Sequence, residues 1–291
     1  MDPELEEFMK LNQGAYPLRE LNTYFGRYAL ACASRAGQLK VIKRCVAYLP
    51  GTDRRVVVAR ANRGHVACVT ALRKWGVDTL RRPRKIHVAV AHNCHRIHTK
   101  NTVIHRILPA APSLSRLYVD DPVATVVCAL KCVDTPEERE VIVDSALFKG
   151  LATKEQLLAE VGERGSVEVR QAIELGSYRA RSPLETNARR VLRGLGLNVK
   201  VGQVIAGIGE VDMVVSNGVH EVIVELDGYE WHARHSQFVE DRRRSRESLI
   251  NQLATLRFTW DDVESGQFKT DIIRYFKNHG GLSGAGEEYG S

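Results

Sequence analysis

The chain has 291 residues, 44% of them hydrophobic, and a formal net charge of +7. This length suits two or three domains better than a single hydrophobic core. No run of about 18 or more apolar residues occurs and the first residues do not begin a signal peptide, which excludes a membrane-spanning helix and predicts a cytoplasmic protein. The six cysteines show no disulfide spacing and are expected to be reduced.

Positive charge is concentrated in one part of the chain. Residues 10–116 contain 21 Lys and Arg and only three acids, a net charge of +18, whereas the remainder carries −11. A region this basic is typical of proteins that bind the phosphate backbone of nucleic acids. The alternative is a basic surface that serves solubility alone. We expect double-stranded DNA as the partner and no membrane, and we leave a homodimer open.

Residues 1–50 are expected to form a winged helix-turn-helix that binds DNA. Glycines end three short helices at 4–11, 17–25 and 27–36, and a basic strand or wing follows at 38–49. The third helix would enter the major groove; the alternative is a helical subdomain without groove contact. The residues of this region and the next that we expect to contact DNA are Arg27, Arg35, Lys40, Lys43, Arg44, Arg81, Arg82, Arg84 and Lys85.

Residues 51–176 are expected to form a basic α/β region followed by helices. The predicted elements are a strand at 55–60, a helix at 64–75, strands at 85–91 and 102–107, and helices at 122–132, 136–147 and 153–161. Histidines and one cysteine cluster here: His87, His92, Cys94, His95, His98 and His105. A zinc site is left open, but no Cys-x-x-Cys pair accompanies them, and the interspersed basic residues favour a surface that contacts phosphate.

Residues 177–279 are predicted to form a mixed sheet flanked by helices, and the glycine-rich tail 280–291 is expected to be disordered. The predicted elements are a helix at 182–193, strands at 199–205, 209–216 and 220–227, a charged helix at 236–253, a strand at 255–260, and a helix from Asp261 or Asp262. The whole chain is thus expected to be an α+β multidomain protein.

Acidic residues interrupt two apolar strands of this last region. Asp212 lies in GEVDMVV, and Glu225 and Asp227 share one face of VIVELDG. A carboxylate in a buried strand must be paired or must bind a metal ion. We therefore expect Asp212, Glu225 and Asp227 to bind Mg²⁺ or Mn²⁺, which would polarise a phosphodiester and activate a water. A role in the following turn is the alternative for Asp227.

The acidic pattern resembles the PD-(D/E)xK nuclease superfamily, in which an Asp is followed, roughly a dozen residues later, by an acid-x-basic triplet. Here Asp227 stands at the third triplet position, as in the very-short-patch-repair (Vsr-like) branch and its EDxHD homing endonucleases. The resemblance spans residues 182–276 and continues in the motifs SPLETNARR, YEWH, VEDRRRSRESL and ATLRFTWDDV. It implies a fold similar to that of restriction endonucleases.

The resemblance also implies roles for individual residues. His232 would be a general acid or base near the scissile phosphate, Glu185 and Asp241 would be supporting acids, and Arg242 would contact phosphate. The implied catalytic set is Glu185, Asp212, Glu225, Asp227, His232 and Asp241. Other interpretations stay open: a capping box for Glu185, a structural role for His232 and a solvated helix face for Asp241.

The upstream region is similar, in the order of its elements, to the AbiEi-type antitoxin arrangement. The similarity rests on an N-terminal winged helix, the strands IHVAV and VIHR, and the helix DPVATVVCAL. It implies a DNA-binding module joined to a nuclease-like one, as in actinobacterial and phage proteins. The sequence therefore predicts a metal-dependent DNA endonuclease of homing, mobile-element or defence type. The alternative is an AbiEi-like regulator or antitoxin whose nuclease fold is inactive.

Overall fold

The computed structural model describes residues 1–42, 44–94, 100–108, 110, 113–114, 116–227, 247, 250 and 253–282. Helices are mixed with strands, and the described strands form three sheets. The chain divides into two units. Unit 1 comprises Met1–Val77, Arg81–Val133 and Glu155–Ser166, and unit 2 comprises Asp78–Leu80, Asp134–Lys154 and Val167–Ser291. No helix in the described residues is long and apolar enough to cross a lipid bilayer.

Unit 1 begins with two helices and a small antiparallel sheet of strand order β1-β3-β2. Its elements are α1 (Pro3–Leu11), β1 (Ala15–Pro17), α2 (Leu18–Arg35), β2 (Lys40–Ile42) and β3 (Val46–Tyr48). Helix α2 bends at Gly26, where φ is 77° and ψ is 154°, a conformation that residues with a Cβ rarely adopt. Because this backbone is not helical, α2 consists of two helices, one on each side of Gly26, and the separate helices predicted at 17–25 and 27–36 are confirmed.

The strand or wing predicted at 38–49 is a pair of short antiparallel strands, because the chain turns back within it. The backbone N–H of Cys45 donates to the carbonyl of Ile42 at 2.8 Å and closes a tight turn between β2 and β3. Strand β1, which was not predicted, pairs with the other side of β3. Three residues are too short for an alternating pattern to be read from the sequence.

The rest of unit 1 contains a second sheet, of order β4-β5-β6, and further helices. Its elements are α3 (Arg54–Ala61), β4 (His65–Val66), α4 (Cys68–Ala71), a 3₁₀ turn (Leu72–Trp75), β5 (Ile86–Ala91), β6 (Thr102–Leu108), α5 (Pro122–Leu130) and α7 (Lys154–Val161). The strands predicted at 85–91 and 102–107 and the helices predicted at 122–132 and 153–161 are confirmed within two residues at their ends.

The strand predicted at 55–60 is wrong, since these residues form helix α3. Three consecutive valines favour a strand, but the Asp53 side chain caps a helix by accepting a hydrogen bond from the Arg55 backbone at 2.8 Å. The helix predicted at 64–75 is also too long. A Cβ on Gly64 would lie 2.3 Å from the Ala89 carbonyl oxygen, so the backbone passes close to β5 there and continues as strand β4.

Unit 2 consists of helices around a four-stranded sheet of order β10-β9-β8-β7. Its elements are α6 (Pro136–Phe148), α8 (Val167–Leu175), α9 (Pro183–Gly194), β7 (Asn198–Ile205), β8 (Gly209–Ser216), β9 (Glu221–Asp227), β10 (Ala254–Thr259), α10 (Trp260–Ser265) and α11 (Gln267–Lys277). Strands β7, β8 and β9 are antiparallel, and β10 is parallel to β9. The four strands predicted at 199–205, 209–216, 220–227 and 255–260 are confirmed in that order along the chain. Helix α8 was not predicted.

Apolar side chains of the sheet pack against α9 and α11 to form the main core of unit 2. Ala188 and Leu192 of α9 and Phe268, Ile272 and Phe276 of α11 are fully buried against strands β8 and β9. The single last helix predicted from Asp261 or Asp262 is two helices: α10 begins at Trp260, because Thr259 and Asp262 form a reciprocal capping box, and Gly266 with a φ of 84° separates it from α11. Most of the charged helix predicted at 236–253 lies outside the described residues; Glu247 and Ile250 are helical.

Candidate active site and metal centre

The N-terminus of α9 holds Glu185 in a fixed position. The Ser182 hydroxyl accepts a hydrogen bond from the Glu185 backbone N–H at 3.2 Å and donates to the Glu185 carboxylate at 3.1 Å. The backbone N–H of Arg181 donates to the other carboxylate oxygen at 3.0 Å. Ser182 therefore caps the helix, and the Glu185 side chain bonds to this cap and is buried, with 7% of the residue exposed.

Asp212 lies on β8 and is tied to the end of β9. Its Oδ2 accepts a hydrogen bond from the backbone N–H of Leu226 at 2.8 Å, between Glu225 and Asp227. Burial raises the pKa of Glu185, and the negative charge of Asp212 adds to the increase, although the hydrogen bonds from Arg181 and Ser182 oppose it. The structure thus places the Asp212 carboxylate beside the end of β9.

Glu225 and Asp227 are half-buried at the carboxyl end of β9. In the register with β10, Arg257 lies beside Glu225 and Thr259 lies beside Asp227. Asp227 is the last residue of the strand, and its backbone is paired rather than turning. Both acids stand on one face of the strand, as the sequence predicted. The remaining predicted site residues of this region, His232, Asp241 and Arg242, lie outside the described residues.

A buried ionic network holds α9 against α6. The guanidinium of Arg189 contacts the carboxylate of Asp144 at 2.8 Å and that of Glu140 at 3.6 Å, and all three residues are less than 5% exposed. Arg193 approaches Glu140 at 2.7 Å, and the Thr186 hydroxyl donates to Asp144 at 2.7 Å. Burial raises the pKa of Asp144, and Arg189 opposes the increase. This network fixes the helix that carries Glu185.

A second cluster of metal-ligand residues lies in unit 1. One ligand atom from each of Cys68, His87, His105 and Cys132 lies within 4.8 Å of the other three. His87 Nδ1 is 3.1 Å from His105 Nε2, and Cys132 Sγ is 3.6 Å from His87 Nδ1. Within the described part of the chain, no other group of three or more Cys, His, Asp or Glu side chains converges this closely.

Four separate elements deliver these side chains. His87 on β5 and His105 on β6 share one face, because the parallel register pairs His87 with Val103 and Ala89 with His105. Cys68 begins α4 with a φ of 55°, in the left-handed region, and is fully buried. Cys132 follows the end of α5, and Cys128, one turn earlier, is adjacent to the group.

Close packing of thiols and imidazoles perturbs the pKa values of this cluster. Hydrogen bonds from Cys68, His105 and His87 lower the pKa of Cys132. Burial lowers the pKa of His105, but hydrogen bonds to Cys128 and Cys132 and the thiolate charges outweigh it and raise that pKa to about 9.

Sequence reasoning found only half of this cluster. His87 and His105 belong to the histidine-rich stretch in which a zinc site was left open, but Cys68 and Cys132 were taken for ordinary buried thiols. The four positions are separated by 19, 18 and 27 residues in the sequence, a spacing that matches no zinc motif. Of the other residues of that stretch, His95 and His98 lie outside the described residues.

A basic groove runs along α2 in unit 1. It has a volume of about 860 Å³ and is lined by Arg19, Arg27 and Arg44 together with polar and apolar residues: Leu18, Asn22, Thr23, Leu30, Ala31, Ser34 and Val41. Arg27 and Arg44 were predicted to contact DNA, whereas Arg19 was not. Of the other predicted residues, Arg35, Lys40, Arg81, Arg82, Arg84 and Lys85 are exposed, and Lys43 lies outside the described residues.

The comparisons with known proteins leave the site to be judged from its own geometry. No model of a known protein family matches the chain, and no curated protein sequence matches it significantly. The functional assignment therefore depends on the acids of unit 2, the cluster of unit 1 and the distribution of charge.

Proposed function

We propose that the protein is a DNA endonuclease that uses a divalent cation at the carboxyl end of β9. The observation that carries the proposal is the hydrogen bond from the Leu226 backbone to Asp212, which joins the acid of β8 to the strand end that bears Glu225 and Asp227. Burial and the negative charge of Asp212 both raise the pKa of Glu185. Several carboxylates at one strand end favour a bound cation over a purely structural role.

The arrangement of the sheet supports this proposal. One helix, three antiparallel strands and a fourth strand parallel to the third follow each other in the order expected from the nuclease resemblance. In that resemblance, the residues corresponding to Asp212, Glu225 and Asp227 bind the metal ion. The acids that the sequence singled out lie at one end of the two central strands, β8 and β9.

The donor atoms at this strand end fit a hard divalent cation. Carboxylate oxygens are the ligands that Mg²⁺ and Mn²⁺ prefer, and Mg²⁺ keeps several waters, so one or two protein carboxylates suffice. Asp212 and Glu225 would hold the ion, with Asp227 as a further ligand. A bound ion of this kind neutralises charge on the phosphodiester and lowers the pKa of a coordinated water.

The chain's own residues would orient this site. The Leu226 amide fixes the Asp212 carboxylate, and the hydrogen bonds from Arg181 and Ser182 fix that of Glu185. The ionic network around Arg189 holds α9, the helix that carries Glu185, against α6. His232 remains our proposed general acid or base, on the strength of the resemblance.

Unit 1 would supply the affinity for DNA. The two helices of α2, on either side of Gly26, follow β1 and precede the β2–β3 hairpin, the order expected of a winged helix. The groove beside α2 presents Arg19, Arg27 and Arg44, and guanidinium groups are suited to phosphate oxygens. Unit 2 belongs to the acidic remainder of the chain, so DNA would be held mainly by the basic residues between positions 10 and 116.

Cleavage of plasmid DNA tests the proposal. Purified protein is incubated with supercoiled and linear DNA in Mg²⁺, Mn²⁺ or EDTA, beside Asp212→Asn and Glu225→Gln. We expect that cleavage requires the cation and that the cleavage rate falls by at least about a hundredfold in each variant. Asn at position 212 can still accept the Leu226 hydrogen bond, so this change removes charge without removing the tether.

Glu221→Gln is the matched control. Glu221 lies on the same face of β9 as Glu225, is exposed, and contacts Lys200 at 3.7 Å, so its loss should leave cleavage unchanged. Cleavage that survives both site variants would overturn our choice of residues. A wild-type protein that cuts no DNA but binds one sequence specifically would favour the regulator or antitoxin function instead.

A further inference from the structure

We propose that Cys68, His87, His105 and Cys132 of unit 1 form a structural zinc site. This proposal is independent of the endonuclease proposal, because it concerns another unit and is tested by metal content rather than by DNA cleavage. It rests on the distances between the ligand atoms, on the elements that carry them, and on the chemistry of two thiols and two imidazoles.

The distances are close to those of a tetrahedral zinc site. With Zn–N bonds of about 2.0–2.1 Å and Zn–S bonds of about 2.3 Å, tetrahedral ligands lie about 3.4 Å apart for two nitrogens and about 3.6 Å for a nitrogen and a sulfur. His87 Nδ1 and His105 Nε2 are 3.1 Å apart, and Cys132 Sγ is 3.6 Å from His87 Nδ1. The remaining pairs lie within 4.8 Å and need only a small contraction.

The surroundings of the cluster favour a structural over a catalytic zinc. Cys68 and His87 are buried, with 0% and 7% of the residue exposed, and four protein ligands complete a tetrahedron. A catalytic zinc in contrast keeps one position for water or substrate. The Cys68 backbone adopts a left-handed conformation that is unfavourable for a residue with a side chain, and this conformation directs its thiol to the other ligands.

Zinc fits the donor set better than the cations of the acidic site. Thiolate and imidazole ligands in a tetrahedron select Zn²⁺, whereas Mg²⁺ requires oxygen ligands. A hydrogen bond between His87 and His105 would account for one short distance, but it does not explain why two thiols from other elements converge on the same pair. A shared cation explains the whole group.

The proposed zinc would tie together four parts of unit 1. Strands β5 and β6 provide the histidines, and α4 and the turn after α5 provide the cysteines. His87 follows the exposed basic residues Arg81, Arg82, Arg84 and Lys85 by a few positions. The metal would therefore fix the strand into which this basic stretch leads, and we expect its loss to loosen unit 1.

Elemental analysis of the full-length protein tests the proposal. Protein purified in reducing buffer without added chelator is measured for zinc, and we expect one zinc ion per chain. Zinc is then removed with a chelator under reducing conditions and replaced with Co²⁺. A tetrahedral site with two thiolates should give intense d–d bands and a thiolate-to-cobalt charge-transfer band, which adding Zn²⁺ should abolish.

Single substitutions locate the ligands. Cys68→Ser, His105→Ala and Cys132→Ser should each lose stoichiometric zinc, while Cys45→Ser should keep it, because Cys45 is exposed and lies outside the cluster. The cobalt spectrum of the wild-type protein reports tetrahedral coordination by thiolates without any variant, so the proposal can be tested even where one of them does not fold. Cys128→Ser should retain zinc, since Cys128 is adjacent to the four ligands but is not one of them.

Three outcomes would overturn the proposal. The first is wild-type protein that contains no zinc and, after reduction, gives no tetrahedral cobalt spectrum. The second is a disulfide between Cys68 and a cysteine near the end of α5 that persists in protein purified in reducing buffer. The third is zinc that is lost in Cys128→Ser and retained in Cys132→Ser, which would replace one of the four ligands.

Discussion

The two candidate metal centres differ in donor chemistry and in enclosure. In unit 1, two thiols and two imidazoles from four elements converge within 4.8 Å, and two of the four residues are buried. In unit 2, carboxylates gather at one strand end, and Asp212, Glu225 and Asp227 are half-buried. Soft donors that enclose a cation suit a permanent structural metal, whereas half-exposed oxygens suit an exchangeable cation that must reach substrate.

The two centres also differ in how the protein positions their ligands. In unit 1 the convergence depends on a strand register and on a strained backbone at Cys68. In unit 2 the acids are positioned by hydrogen bonds to the main chain and by the buried ions behind α9. A metal would thus be part of the fold in unit 1, whereas the fold of unit 2 would be complete before a metal binds.

The largest expected effect separates the two metals. Protein transferred by gel filtration into buffer without Mg²⁺ should lose cleavage at once and recover it fully with Mg²⁺ alone, because the oxygen site exchanges its ion readily. A chelator that removes zinc should lower the unfolding temperature, and Mg²⁺ should not restore that stability. Cleavage and thermal unfolding followed side by side test this. Cleavage that recovers only with Zn²⁺ would contradict the division of roles.

The next effect concerns the ionic network of unit 2. Arg189→Met should lower the free energy of unfolding by about 3–5 kcal/mol, because it leaves the buried carboxylates of Asp144 and Glu140 without their shared cation. Arg190→Met, one residue further on, should cost less than about 1 kcal/mol, since Arg190 is half-exposed, its bridge to Glu137 is in contact with water and its contact with Glu140 is long at 3.8 Å. Denaturant titration measures both.

Equal effects of these two substitutions would mean that the network does not anchor α9. The zinc content of unit 1 provides an internal reference, because neither substitution touches its ligands. We expect both variants to retain zinc, and loss of zinc in Arg189→Met would show that the two units do not fold independently.

A smaller effect is expected for DNA binding. Arg27→Gln and Arg44→Gln should each weaken binding several-fold and reduce the slope of log affinity against log salt by about 1, the contribution of one phosphate contact. Arg274→Gln is the control, because Arg274 lies in unit 2 and pairs with Asp271 at 2.7 Å. Fluorescence anisotropy over a range of salt concentrations gives the slopes. Unchanged slopes would remove the α2 groove from the DNA-binding surface.

The smallest effect is a pH dependence at the cap of α10. Hydrogen bonds from the backbone and the side chain of Thr259 hold the pKa of Asp262 below its usual range. The pKa is lower in the folded than in the unfolded protein, so this stabilisation is present above the unfolded pKa and is lost as pH falls through the folded one. Asp262→Asn should remove that acid-dependent part, about 1 kcal/mol or less. Identical pH profiles for both proteins would contradict it.

Much of unit 2 could be predicted from the sequence because its signals are local. Ser182 and Glu185 mark the start of α9 in the sequence. Apolar residues mark strands β8 and β9, and the acids are conspicuous because they interrupt these apolar strands. The network around Arg189 was missed although Glu140 and Asp144, and Arg189 and Arg193, are each four residues apart on a helix. That spacing is just as common on solvated faces.

Unit 1 could be predicted less well because its decisive contacts are not local. The valines of α3 favour a strand until the Asp53 cap is known, and the short β1 and β2 strands gain their stability from β3. The metal-ligand cluster depends on a parallel strand register and on residues 27 positions apart, which no periodicity in the sequence encodes. Only tertiary structure brings these four side chains together.

The tether of Asp212 has a consequence for sequence variation. Its donor is the main-chain N–H of Leu226, which every amino acid except proline provides. Other apolar side chains that fit the core can therefore replace Leu226 without moving Asp212. Relatives of this protein need not share a leucine at this position. Proline is the one replacement that would release Asp212 while leaving every acid of the strand end in the sequence.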